Sequence, residues 1–201
     1  MATEKSGTQR PGGRTERTRQ AVLLATLELL AERGFLSLTV DAVAERSGVH
    51  KTTVYRRWKS PDGLVAAALD LGSEDDWAAP DTGSLENDLY GLAEELVRYF
   101  TEPDLRELPT ASILAAFHSD QAAAALRGFY ENRHARCTEI VRRAIDRGEA
   151  PTGTDAAEVI RSACAPIFYR LFISREPVDL KAARLAARAA TLAARAGAFT
   201  R

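Results

Sequence analysis

Cysteine is close to absent from this chain. Cys137 and Cys164 are the only two in 201 residues, too few for a disulfide framework, and neither belongs to a CxxC pair. Both are expected to be reduced and buried. Long apolar runs are missing as well: no stretch approaches the roughly 18 uninterrupted apolar residues of a membrane helix. The opening "MATEKSGTQRPGG" lacks the apolar centre of a secretory signal. The expectation is therefore a soluble, cytoplasmic chain. Valine and isoleucine are sparse beside alanine, leucine and arginine, which points away from sheets and towards an all-α fold. No glycine loop is built to cradle phosphate, and no nucleophile stands paired with a base. The chain is accordingly read as not an enzyme, with no cofactor and no metal.

Charge is balanced overall, at −1, which argues against indiscriminate nucleic-acid binding. Its distribution is uneven. Residues 1–60 hold 11 Lys/Arg against 6 Asp/Glu, an excess of five positive charges, and the remainder carries an excess of six negative ones. A basic N-terminal module precedes an acidic remainder.

Helical periodicity begins near Thr15. Val22, Ala25, Leu29 and their leucine neighbours form an apolar stripe, and Gly34 suits a left-handed cap, so the first helix is expected over about Glu16–Arg33. Thr39 caps a second, two-turn helix that Gly48 stops. A third begins almost at once, with Val54 and Trp58 at i, i+4 facing inward. Two short helices around Gly48-Val49-His50 make a helix-turn-helix. Ser60-Pro61-Asp62 then opens a fourth helix reaching about Leu71. Residues 72–84 read as a loop, and five further helices are expected at about 85–100, 109–118, 120–147, 155–174 and 179–196. Asp155 and Glu158 resemble a capping box, and Pro166 should kink its helix. The expected organisation is a disordered tail over 1–13, a helix-turn-helix domain with linking helix four over 14–71, and a second helical domain over 72–201.

With Val54 and Trp58 turned inward, the outer face of the third helix carries Lys51, Thr52, Thr53, Tyr55, Arg56 and Arg57. Such side chains fit a major groove: Arg and Lys donate to guanine, threonine meets a thymine methyl, and tyrosine donates to phosphate. Lys51, Thr52 and Arg56 are the expected base readers. Thr39, Lys59 and Ser60 are expected on phosphate. The stretch "LTVDAVAERSGVHKTTVYRRWKSPDGLV", extended back through "AVLLATLELLAERGF", resembles the DNA-binding domain of the TetR family of transcriptional regulators. That resemblance implies a three-helix DNA-binding domain, a variable helical ligand-binding domain and dimerisation through the last two helices. It places DNA contacts on Thr39, Lys51, Thr52, Thr53, Tyr55 and Arg57. Where the family commonly has lysine opening helix four, this chain has Pro61, and Lys59 stands as the replacement phosphate contact.

The last helix sets Val178, Ala182, Leu185, Ala189, Leu192 and Ala196 at alternating spacings of four and three, a coiled-coil-like seam. With Ile160, Ile167, Leu171 and Ile173 before it, the seam suggests a four-helix bundle across a two-fold axis; the alternative is a seam against the protein's own core. The dimerisation set is Ile167, Leu171, Ala182, Leu185, Ala189 and Leu192. Lys181, Arg184, Arg188 and Arg195 are taken as a solvated stripe. Candidates for an effector pocket are Trp77, Tyr90, Tyr99, Phe100, Phe117, Phe129, Tyr130, Phe168 and Tyr169, with His118, His134 and Cys164. His134 and Cys137, at i, i+3, are a weak metal or thiol signal whose plainer reading is a partly exposed histidine and a buried thiol. The function expected is a homodimeric repressor released from a palindromic double-stranded operator by a small-molecule effector. The alternative is a helical ligand-binding or protein-interaction module that reads no sequence.

Overall fold

A computed structural model describes residues 12–71 and 77–201. Among them are nine α-helices: α1 Gly12–Arg33, α2 Val40–Ser47, α3 Lys51–Trp58, α4 Pro61–Leu71, α5 Leu85–Thr101, α6 Glu107–Ala116, α7 Asp120–Asp146, α8 Ala156–Phe168 and α9 Leu180–Arg195. No strand occurs among these residues beyond an isolated bridge between Thr154 and Thr200. Most of the expected tail lies outside the described residues, as does the first part of the expected 72–84 loop. Helix α1 starts at Gly12, one turn earlier than its apolar period suggests.

The helix ends follow local chemistry. Thr39, Ser84, Ser119 and Asp179 each accept from a backbone N–H three residues on. Asp155 accepts from both Ala157 and Glu158 N–H, but the reciprocal half of the expected capping box is absent. Its own N–H donates to Phe199 O at 2.8 Å, which pins the C-terminal segment to the start of α8. Pro166 lies within α8, and from Tyr169 to Ser174 the helix continues as a π-helix, ending at Arg175 in the left-handed region.

Two large cores result. The first gathers Val22, Leu23, Leu30, Val43, Val54, Trp58, Leu64 and Val65 from α1–α4, and is closed by Ala111, Ala115, Ala122 and Ala125 of α6 and α7. The second joins Leu85 and Leu89 of α5, Ile140 and Val141 of α7, Val159 and Ile160 of α8, and Ala187, Ala190 and Ala194 of α9. At 27 residues, about 40 Å long, α7 belongs to both. A small third cluster, with Ala93, Val97, Ile167 and Ala183, seals α5 against α8 and α9.

Candidate nucleic-acid interface and ligand cavity

The helix-turn-helix is fixed from beneath. Val54 is fully buried and Trp58 nearly so, which turns Lys51, Thr52, Tyr55, Arg56 and Arg57 to solvent and leaves Thr53 half-buried. Gly48, at φ 67°, makes the left-handed turn between α2 and α3. Arg46 clamps α2 to α1 through a two-pronged pair with Glu32, both contacts at 2.8 Å, and a third contact to Glu28 at 3.1 Å. Gly63 locks α4 to α3: a Cβ there would stand 2.2 Å from Trp58 O. These contacts set the angle at which α3 is presented.

Polar groups on that face are partly engaged with one another. Lys51 Nζ donates to Asp41 Oδ2 at 2.5 Å and lies 5.6 Å from the centre of the Tyr55 ring. The hydrogen bond to Asp41 holds the Lys51 ammonium above its ordinary pKa. His50 Nδ1 meets Thr52 Oγ1 at 3.0 Å, and the Arg57 guanidinium lies 5.1 Å above the Trp58 ring. Thr39 and Ser60 use hydroxyl lone pairs as caps, accepting from Ala42 N–H at 3.1 Å and Gly63 N–H at 3.2 Å. Each keeps its hydroxyl proton for another acceptor. Lys59 is exposed at φ 66°. Eight of the nine residues expected on DNA therefore lie along α3 and the turn that follows it, Thr39 stands at the start of α2, and all but the half-buried Thr53 and Ser60 are exposed.

A cavity of about 270 Å³ separates the two large cores. Eight of the expected pocket residues line it: Trp77, Tyr99, Phe100, Phe129, Tyr130, His134, Cys164 and Phe168. Four candidates do not: Tyr90 lies beneath Arg184, whose guanidinium is 4.2 Å from its ring centre; Phe117 is 81% exposed at the end of α6; His118 stacks on Phe35 with centroids 6.4 Å apart; and Tyr169 is on the surface. The sequence reading missed Glu95, Arg133 and Cys137, along with Leu27 of α1, Ala68 and Leu69 of α4, and Leu108, Pro109 and Ser112 of α6. A signal was present. Leu92, Glu95, Leu96 and Tyr99 fall at i, i+3, i+4, i+7, and Leu126, Phe129, Tyr130, Arg133, His134 and Cys137 continue the same period on α7.

Burial sets the chemistry of the wall. It pushes the Tyr130 hydroxyl and the Cys137 and Cys164 thiols up to about 12. Burial, assisted by Arg161, lowers the His134 imidazole. At neutral pH all four side chains are uncharged. Among the described residues no group of three or more His, Cys, Asp or Glu converges as metal ligands.

On α9 the alternating stripe faces away from the protomer. Leu185 is 61% and Leu192 56% exposed, while Ala183, Ala186, Ala187, Ala190 and Ala194 pack inward. The stripe is therefore not a seam against the protein's own core. Ile160 and Ile167 require correction: both are fully buried within the protomer, because the α8 face that carries them packs on the interior clusters, and they offer nothing to a partner. Leu171 and Ala182 are half-buried. The basic stripe is engaged more than expected, with Arg184 over Tyr90 and Arg195 paired to Glu149 at 3.2 Å.

Residues 22–68 match the model of bacterial regulatory proteins of the tetR family, and residues 79–190 match that of the tetracyclin repressor-like C-terminal domain. The chain belongs to the TetR family. Among curated TetR-family relatives it is 32% identical over 170 residues to the HTH-type transcriptional regulator YdeS of Bacillus subtilis strain 168, covering 83% of this chain and 84% of YdeS. It is 33% identical over 157 residues to AqdR of Rhodococcus erythropolis, covering 78% and 75%. The crystal structure of the TetR family transcription regulator SCO0332 superposes with a TM-score of 0.68 at 31% identity, covering 87% of this chain and 97% of that one. Membership decides between the two readings of the sequence: this TetR-family protein is a DNA-binding, helix-turn-helix transcriptional regulator. No helix among the described residues is long and apolar enough to cross a membrane.

Proposed function

We propose that the protein is a homodimeric repressor whose operator affinity falls when a small molecule fills the cavity between its two cores. One observation carries this reading. Leu27, Ala68 and Leu69 belong to the DNA-binding helices, yet they line the same cavity as Phe129, Tyr130 and Phe168 of the regulatory helices. An occupant touches both parts at once, so any preference for one spacing between them is felt at α3. A coupling of only about 1 to 3 kcal/mol changes affinity several-fold to a hundredfold.

In this reading Lys51, Thr52 and Arg56 read base edges. Thr53, Tyr55, Arg57, Thr39, Lys59 and Ser60 fix the register on sugar and phosphate. The outward Leu185, Ala189 and Leu192 of α9, with half-buried Ala182 and Leu171 beside them, pair with the same face of a second copy. Two recognition helices related by a two-fold axis then meet half-sites one turn apart on a palindrome.

The test is selection from a random duplex pool at near-physiological salt, with the wild type and with Tyr55→Ala and Arg56→Ala. A palindromic motif is expected, relaxed at one position by Arg56→Ala at a cost of about 1 to 3 kcal/mol. Binding that follows salt alone, with no enriched motif, would overturn it.

A further inference from the structure

The charges in the cavity wall gather at one place. Glu95 accepts from Trp77 Nε1 at 2.8 Å, and the Arg133 guanidinium lies 4.2 Å from the centre of the same indole. One anion at the edge and one cation at the face of a single ring offset each other. The wall made by Tyr130, His134, Cys164 and Phe168 holds no charge, since burial keeps the hydroxyl and thiol protonated and the imidazole neutral. An ionised ligand group taken out of water against that wall has Arg133 as its nearest counter-charge, and that guanidinium already lies over Trp77 beside Glu95, so the desolvation is unfavourable.

Two polar groups in it remain unengaged. Tyr130 and His134 stand one helical turn apart on α7 with ring centroids 6.1 Å apart, and neither makes a hydrogen bond with any described residue. A protonated phenol donates; a neutral imidazole offers one donor and one acceptor. A hydroxyl oxygen can accept from the phenol and donate to the acceptor nitrogen of the imidazole through a single atom, which a carbonyl cannot. Size follows from volume. At about 270 Å³ the space is nearly twice the roughly 150 Å³ that holds one benzene ring. The edge-to-face contacts of Phe168 with Phe100 and Tyr130, at 5.6 and 6.0 Å between centroids, supply ring edges and faces for an aromatic guest.

We propose that the cavity selects an uncharged two-ring aromatic molecule bearing one hydroxyl, held between Tyr130 and His134. This rests on the reading of the cavity as the effector site. The charged counterpart and the unsubstituted hydrocarbon serve as controls of the same size.

Equilibrium dialysis of the full chain at pH 7 against 2-naphthol, naphthalene and 2-naphthoate tests it. The expected order places 2-naphthol first, with 2-naphthoate weaker by roughly tenfold or more. Tyr130→Phe should weaken 2-naphthol by roughly fivefold, the loss of one neutral hydrogen bond, and leave naphthalene unchanged. His134→Leu should act in the same direction and covers the case in which the first variant fails to fold. The proposal is overturned if 2-naphthoate binds as tightly as 2-naphthol, if the variants lose both neutral probes equally, or if none of the three binds. Operator binding measured on the same samples separates the two readings. A wild type that binds its palindrome but no 2-naphthol keeps the regulator and loses this ligand class. One that binds 2-naphthol with unchanged operator affinity keeps the ligand class and loses effector-driven release.

Discussion

Lys59 is held in a conformation that a lysine avoids. At φ 66° and ψ −43° it follows the last residue of α3, where its N–H donates to Tyr55 O at 3.0 Å. Left-handed backbone costs a residue with a Cβ on the order of 1 kcal/mol relative to glycine. A strained position that keeps a long cation at the edge of the recognition helix suits a side chain retained for its charge, and Pro61 makes the need plain, since the helix that follows opens without a basic residue. Lys59→Gly is expected to raise the melting temperature, by relief of about 1 kcal/mol offset in part by greater freedom of the unfolded chain. Operator affinity should fall, and the dependence of log K on log salt should become shallower by about one unit per protomer. A variant that melts higher with an unchanged salt slope would remove Lys59 from the phosphate contacts.

Among the elements, α9 shows two faces with opposite destinations. Alanines pack inward, where their small side chains let α5 and α8 approach closely; leucines point out. Burying a leucine contributes about 1.5 to 3 kcal/mol, so exposing Leu185 and Leu192 together is costly for an isolated protomer and favours a two-fold partner. Leu185→Glu combined with Leu192→Glu should yield a folded monomer by sedimentation, since neither residue contributes to the protomer's core. A double variant that sediments as a dimer would place the partner surface elsewhere. Much of this was legible in the sequence because it depends on neighbours along one helix: the three-four spacing of the seam, the caps at Thr39 and Asp155, the inward pair Val54 and Trp58. What failed to show depends on partners distant in sequence. Ile167 shares a helix with exposed Ile173, but only the packing of α8 on α5 and α9 decides which is buried. Phe117 looks like a core aromatic until α6 ends at Ala116 and leaves it in solvent. Glu95 and Arg133 carried no signal in the sequence because their common partner, Trp77, lies in a segment without helical period.

At the scale of the molecule the decisive feature is a cavity placed where two cores meet. Helix α7 runs through both, packing Ala122 and Ala125 in the first and Ile140 and Val141 in the second, so it is a rigid reference against which the DNA-binding helices can move. Helix α4 packs on α7 and lends Ala68 and Leu69 to the cavity wall. Its first turn sits so close to α3 that Gly63 has no room for a Cβ, and a displacement of α4 therefore carries α3 with it. If occupation of the cavity drives operator release, side-chain volume added on α4 should imitate the ligand. Ala68→Phe places a ring's worth of volume at the wall of a space of about 270 Å³, which can take it without unfolding the first core. The variant is expected to bind the operator several-fold more weakly without any ligand and to lose affinity for molecules that occupy the cavity. Its melting temperature should stay near that of the wild type. Fluorescence anisotropy with the selected palindrome measures the first effect and equilibrium dialysis the second. A filled cavity with wild-type operator affinity would mean that α4 and α7 hold their spacing whatever lies between them, and the coupling would have to run through the dimer interface instead.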